Sequence, residues 1–149
     1  MVEIYNGGLN VEKIVNSWYN FATLNNYGAF ITFIGVVRDE NGIEGLSFDI
    51  YKPLLDNWFQ EWQNRIIQMG GNIKMAHSKG DVLLHQTSFI SAIYSSKRGV
   101  ALKMIDKFVE DFKANAPIWK YDIINGNRVY AKDRSQKIEG SGLLKRVKI

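Results

Sequence analysis

Nine consecutive residues, Ala29-Phe-Ile-Thr-Phe-Ile-Gly-Val-Val37, constrain this chain more than any other stretch. They are almost wholly apolar and rich in β-branched and aromatic side chains, which lose rotamer freedom in a helix but pack well on a pleated surface. A run this short and this apolar predicts a strand buried on both faces, so both sides of its sheet need cover. The run ends abruptly in a charged loop, Arg38-Asp39-Glu40-Asn41-Gly42.

Three helical patterns can supply the cover. Val11, Ile14, Val15 and Trp18 recur at three- and four-residue steps, with Asn10 as cap and Asn25-Asn26-Tyr27-Gly28 as stop. A second helix opens at Pro53, presents Leu55, Trp58, Phe59, Trp62, Ile66 and Met69 on one face, and ends at Gly70-Gly71. A third runs from near Arg98 to Lys113 and buries Ala101, Met104, Ile105, Phe108, Val109 and Phe112. Pro117 bars its continuation.

Between the helices lie strands. Residues 1–5 read as an edge strand. Leu46, Phe48 and Ile50 alternate with Ser47, Asp49 and Tyr51 as in a half-buried strand. Residues 73–78 and 87–94 read as two more, with Lys79-Gly80-Asp81 as the turn between them. Residues 118–124 and 128–132 flank a hairpin signal, Asn125-Gly126-Asn127. The order β-α-β-β-α-β-β-α-β-β places pairs of strands between helices. It predicts an α+β fold, three helices on a mainly antiparallel sheet, and not a doubly wound parallel one. The 149 residues, without repeat or linker, fit one domain spanning 1–149, with a flexible basic tail from about residue 140 at Gly140-Ser141-Gly142.

Composition narrows the chemistry. There is no cysteine, which excludes disulfides, a thiolate nucleophile, iron–sulfur ligation and a persulfide on this chain. Any sulfur it handles must arrive on another molecule. With 19 basic and 15 acidic residues the net charge is +4, compatible with an anionic small ligand, a nucleic acid or an acidic protein. No apolar run has the length of a membrane span, and the N-terminus shows no signal-peptide pattern, so a cytoplasmic protein away from membranes is expected. Walker, Gly-x-Gly-x-x-Gly and Gly-x-Ser-x-Gly motifs are absent. His77 and His85 have no second ligand at metal spacing and read as strand or surface histidines; neither a metal nor a cofactor is expected.

Three places carry possible chemistry. Arg38, directly after the most apolar strand, is either a solvated loop charge, which the residues alone favour, or a guanidinium placed for phosphate. Ser95-Ser96-Lys97-Arg98 leads into the third helix. It is either a serine cap with two solvated charges or an anion site at a helix N-terminus. Lys113 ends that helix and Lys120 follows the proline break. Taken alone, Lys113 complements a helix dipole and Lys120 is a strand lysine beside Trp119. Brought together, two lysines can leave one amine poised for acid–base or nucleophilic work.

Residues 28–39, Gly-Ala-Phe-Ile-Thr-Phe-Ile-Gly-Val-Val-Arg-Asp, resemble the Gly-Ala…Phe-x-Gly-x-Val-Arg-Asp signature of the MoaE family, the large subunits of molybdopterin synthase. Ala116-Pro117-Ile118-Trp119-Lys120 resembles its Ala-Pro-(Phe/Ile)-Trp-Lys motif, with a lysine seven positions before the last. Tyr51 near Pro53 is loosely similar to its Glu-x-Tyr-x-x-Met stretch. The likeness spans residue 1 to about residue 132. It implies a fold of the α/β-hammerhead type and a sulfurtransferase that converts cyclic pyranopterin monophosphate into the molybdopterin dithiolene. The sulfur would come from a thiocarboxylate on the C-terminal Gly-Gly of a small ubiquitin-like, MoaD-type subunit. The implied assembly is a heterotetramer built on a homodimer of large subunits. Lys113 and Lys120 would be the catalytic pair. Val37 and Arg38 would line the substrate pocket, with Tyr121 and Asp122 flanking it. Lys97 and Arg98 would hold the anionic ligand, Arg98 from the opposite protomer. The family usually has His-Arg where this chain has Lys97-Arg98, and often lysine where Val36 stands. Charge is kept at the first position, but a titrating imidazole is lost.

Two other readings compete. Basic charge with 4 Trp, 7 Tyr and 8 Phe could describe an RNA-binding sheet, although three of the four tryptophans fall on helix stripes and no Arg/Lys-Gly-Phe-x-Phe run occurs. A non-catalytic scaffold holding a ubiquitin-like protein is the other.

Overall fold

A computed structural model describes residues 1–131; the basic tail expected from about residue 140, and Lys132, lie outside the described residues. The elements are β1 (Glu3–Asn6), α1 (Val11–Leu24), β2 (Ala29–Val36), β3 (Gly45–Ile50), α2 (Lys52–Gln68), β4 (Asn72–Leu83), β5 (Thr87–Ser95), α3 (Arg98–Asn115), β6 (Ile118–Ile124) and β7 (Asn127–Tyr130). Their order is the one read from the sequence, and the fold is α+β with three helices and a mainly antiparallel sheet.

Local chemistry sets the boundaries. The Asn10 side chain accepts from the Lys13 N–H at 3.1 Å and starts α1. Pro53 occupies the first turn of α2, and Gly70 leaves it in a left-handed conformation, φ +85°. At the start of α3 the Ser95 hydroxyl accepts from the Ala101 N–H at 3.1 Å, so Ser95 acts as the cap from outside the helix. Asn125 and Gly126, both at positive φ, make the two-residue turn between β6 and β7.

The seven strands run β2-β5-β4-β3-β6-β7, and β1 adds to β4 in parallel. Helices α2 and α3 cover one face, where Leu55, Phe59, Trp62, Ile66 and Phe108 meet Ile73, Met75, Phe89 and Ile93. Helix α1 covers the other, placing Ile14, Trp18 and Ala22 on Ala76, Ile90, Ala92 and Tyr94. Successive residues of β4 and β5 thus face opposite layers, as the pleat requires. Each large side chain so buried contributes about 1.5–3 kcal/mol of apolar transfer. The Trp62 indole N–H donates to Asp111 at 2.6 Å and ties α2 to α3.

Three expectations need correction. Lys79-Gly80-Asp81 is not a turn. β4 continues to Leu83, and Gly80, at φ +79°, lets the strand bend where its neighbour changes from β1 to β3. The turn comes later, at Leu84-His85-Gln86, with His85 at φ +70°. β2 is not buried on both faces. Among the described residues it pairs only with β5 and forms a sheet edge, leaving Ile34 and Val36 at 37% and 54% exposure. Ser47 is not solvent-facing. Its hydroxyl donates to Asp81 at 2.6 Å and accepts from Arg128 Nε at 3.0 Å, which covers that face of β3.

Candidate active site at the C-terminal end of helix α3

A cavity of about 440 Å³ opens where the β2–β5 section of the sheet meets the β3–β6 section, beside the last turn of α3. Phe33, Phe48, Phe89 and Phe112 give it aromatic walls, and Arg38, Lys113, Lys120 and Glu40 give it charge. Three cations against one carboxylate make it a site for an anion.

Each cation is delivered by a different element. Val37, at the end of β2, is gripped by the turn between β4 and β5: its N–H donates to the Gln86 carbonyl, and its own carbonyl accepts from the His85 N–H. That fixes the point from which Arg38 projects. The Arg38 side chain is 80% exposed and pairs with Glu40 at 3.0 Å, a contact that an incoming phosphate can replace. Lys113 sits in the last turn of α3, is exposed, and has no hydrogen bond or ion pair among the described residues. The chain leaves the helix at Ala116, in extended geometry before Pro117, and β6 then returns along β3. Lys120 is therefore in register with Phe48 and half-buried, on the same cavity as Lys113.

Of the residues singled out in the sequence, Val37, Arg38, Lys113 and Lys120 come together here. The other four do not line the cavity. Tyr121 alternates to the opposite face of β6, where its ring lies 4.0 Å under the Arg128 guanidinium and edge-on to Tyr130. Burial first, then a hydrogen bond to Asp49, raises its hydroxyl pKa above the ordinary 10.0. Asp122 shares the face of Lys120 but sits one pleat further along, opposite Leu46. Lys97 and Arg98 are exposed at the start of α3. Arg98 and Lys113 are fifteen positions apart on one helix, about 22 Å at 1.5 Å per residue, so one small ligand cannot touch both backbone positions within a single chain.

His77 also lines the cavity, although the sequence marks it only as a strand or surface histidine. His77 is 2% exposed and borders the cavity. Its Nδ1 lies 2.7 Å from the Ser78 carbonyl oxygen, and the Phe48 ring meets it edge-on at 4.8 Å. The available signal was phase: His77 follows Ile73 and Met75 at steps of two, on the core side of β4. Among the described residues, no group of three or more His, Cys, Asp or Glu is placed to hold a metal ion, and no helix is long and apolar enough to cross a membrane.

Comparison with known proteins identifies the family and the fold. The family model described as MoaE protein matches residues 8–115. The molybdopterin synthase catalytic subunit of Helicobacter pylori is 47% identical over 144 residues, covering 97% of this chain and 99% of that one. A solved protein–protein complex of subunits 1 and 2 of the molybdopterin-converting factor from Helicobacter pylori contains a chain that superposes with a TM-score of 0.90, at 47% identity, over 96% of this chain and 98% of its own. The molybdopterin synthase structure from Staphylococcus aureus shares the fold at a TM-score of 0.73 and 22% identity, over 86% and 94% of the two chains. By the matched family model and by a relative nearly half identical along almost the whole of both chains, this chain belongs to the MoaE family of molybdopterin synthase catalytic subunits.

Proposed function

We propose that the cavity is where the thiocarboxylated Gly-Gly tail of a small ubiquitin-like subunit meets cyclic pyranopterin monophosphate. The observation that carries this is the convergence of Lys113, from a helix end, and Lys120, from the next strand, on one cationic cavity in a chain with no cysteine. Sulfur that cannot be held by this chain must be brought in. The thiocarboxylate sulfur forms a C–S bond to a substrate carbon while that carbon's bond to oxygen breaks, the oxygen leaving as a phosphate oxygen or, once protonated, as water. Water then attacks the acyl carbon, which passes through a tetrahedral oxyanion, and the acyl–sulfur bond breaks to leave sulfur on the substrate and a carboxylate on the tail. Lys113 and Lys120 stabilise that oxyanion and move protons around it, and Arg38 holds the phosphate. Two rounds give the dithiolene. The relative solved as a complex of subunits 1 and 2 supports a small-subunit partner.

The reading includes a homodimer. Lys97 and Arg98 lie too far along α3 to serve their own cavity, and the edge strand β2 exposes Ile34 and Val36. Both fit a two-fold partner whose α3 N-terminus reaches the cavity of the first protomer.

The decisive experiment is incubation of the protein with cyclic pyranopterin monophosphate and thiocarboxylated small subunit, assayed for dithiolene. Product is expected only when all three are present. Equally fast product from inorganic sulfide without the small subunit overturns the tail-insertion reading.

A further inference from the structure

Among the described residues lining the cavity, His77 is the buried titratable group that the chemistry above leaves unemployed. Its Nδ1 meets the Ser78 carbonyl at 2.7 Å. A carbonyl oxygen only accepts, so Nδ1 carries the proton, and in a neutral ring Nε2 carries the lone pair. The ring is neutral: burial lowers its pKa to about 4, against a smaller opposing effect of the Ser78 bond. Nε2 makes no hydrogen bond to the described residues. Among the described residues the fully enclosed side-chain polar atom without a partner is Ser91 Oγ, so Nε2 is open to the cavity, where water or a ligand can donate to it.

The surroundings say what kind of donor fits. Phe48, Phe89 and Phe112 pack around the imidazole at ring-centre distances of 4.8, 5.8 and 5.7 Å, and Phe89 and Phe112 stack face to face at 3.9 Å. Such walls suit a planar heterocycle. They suit a peptide tail less well, because its amides need partners along both edges.

We propose that His77 is a specificity residue of the substrate pocket, its Nε2 accepting a hydrogen bond from an N–H of the pterin ring while Arg38 takes the phosphate. This rests on the function proposed above and adds to it a reason for choosing the heterocycle: the cations select for charge, and His77 selects for a ring that presents a donor at the right edge. A site built to meet a hydrogen-bonding group discriminates strongly against an analogue that lacks it.

The test measures binding of cyclic pyranopterin monophosphate to the purified full chain by calorimetry, with no small subunit present, for wild type, His77→Phe and His77→Gln. Phenylalanine fits among the three rings but removes the acceptor, and glutamine restores an acceptor near the Nε2 position. His77→Phe should weaken substrate binding at least about tenfold, and His77→Gln should recover most of the loss. Both should bind the small subunit as wild type does. Wild-type substrate affinity in folded His77→Phe overturns the assignment. So does a folded His77→Gln as weak as His77→Phe, or a loss that appears in small-subunit affinity instead of substrate affinity. Failure of wild type to bind the pterin at all would remove the proposed function itself, which separates the two readings.

Discussion

The same imidazole makes the fold acid-sensitive in a window that can be stated in advance. His77 titrates at about 4 in the folded chain, against an ordinary 6.5, chiefly because its ring is desolvated. The cavity cations Lys113 and Lys120 give a charged imidazole no relief. Folding therefore favours the neutral ring. The stability this carries is complete above pH 6.5, is lost as pH falls, and is gone below pH 4. At about 1.4 kcal/mol per pKa unit the full loss is roughly 3 kcal/mol, of which about 2 kcal/mol falls between pH 7 and pH 5. Against a typical domain stability of about 5–15 kcal/mol this is measurable. Urea unfolding at pH 7, 6 and 5 should show it for wild type, and His77→Phe should show a much flatter dependence over the same range. The chain has 2 histidines, so subtracting the variant isolates the His77 contribution. If wild type and His77→Phe lose stability in parallel between pH 7 and pH 5, His77 is not held buried and neutral.

At Lys113 a purely structural role at the helix end is worth about 0.3–1 kcal/mol of stability and nothing in rate. The proposed role predicts that Lys113→Ala stays folded and binds both partners while single-turnover transfer falls at least about a hundredfold, and normal transfer would refute it. Arg38→Ala should weaken substrate binding about tenfold with little effect on melting temperature, and Arg38→Lys should restore only part, because an ammonium cannot reproduce the paired donors of a guanidinium. Unchanged calorimetric affinity in Arg38→Ala would place the phosphate elsewhere.

The sequence reading succeeded where local chemistry decides and failed where tertiary partners do. Periodicity gave all three helices, and Asn10, Gly70 and the Asn125-Gly126 turn mark boundaries through interactions within a few residues. The apolar run at 29–37 reads the same whether its second side meets this chain or another molecule, so its edge position was invisible. Gly80 signals a left-handed backbone but not whether the strand resumes after it. The site divides in the same way. Lys113 and Lys120 lie seven residues apart on either side of the helix end and Pro117, a local signal, whereas the face that Tyr121 takes depends on the register of β6. His77 belongs to the cavity only because β3, β5 and α3 bring Phe48, Phe89 and Phe112 around it from distant parts of the chain.

The separation of Arg98 from Lys113 along α3, about 22 Å, yields a test of whether the two charges act across a dimer. In a two-fold assembly each cavity would combine Lys113 of one protomer with Arg98 of the other. Lys113→Ala and Arg98→Ala homodimers would then each carry a defect in every cavity. A mixed dimer of the two variants is different: one cavity collects both defects and the other collects neither. Unfolding and refolding an equal mixture makes about half of the dimers mixed, so about a quarter of the cavities should be intact. Each variant alone should be nearly inactive, and the refolded mixture should recover about a quarter of wild-type turnover. If Arg98 serves its own protomer, every cavity in every dimer keeps one defect and mixing restores nothing. If Arg98 has no role, the Arg98→Ala homodimer is already active and the mixture only averages the two. The three outcomes differ in size and in what the separate variants do, so a single turnover assay before and after mixing distinguishes a shared active site from a private one.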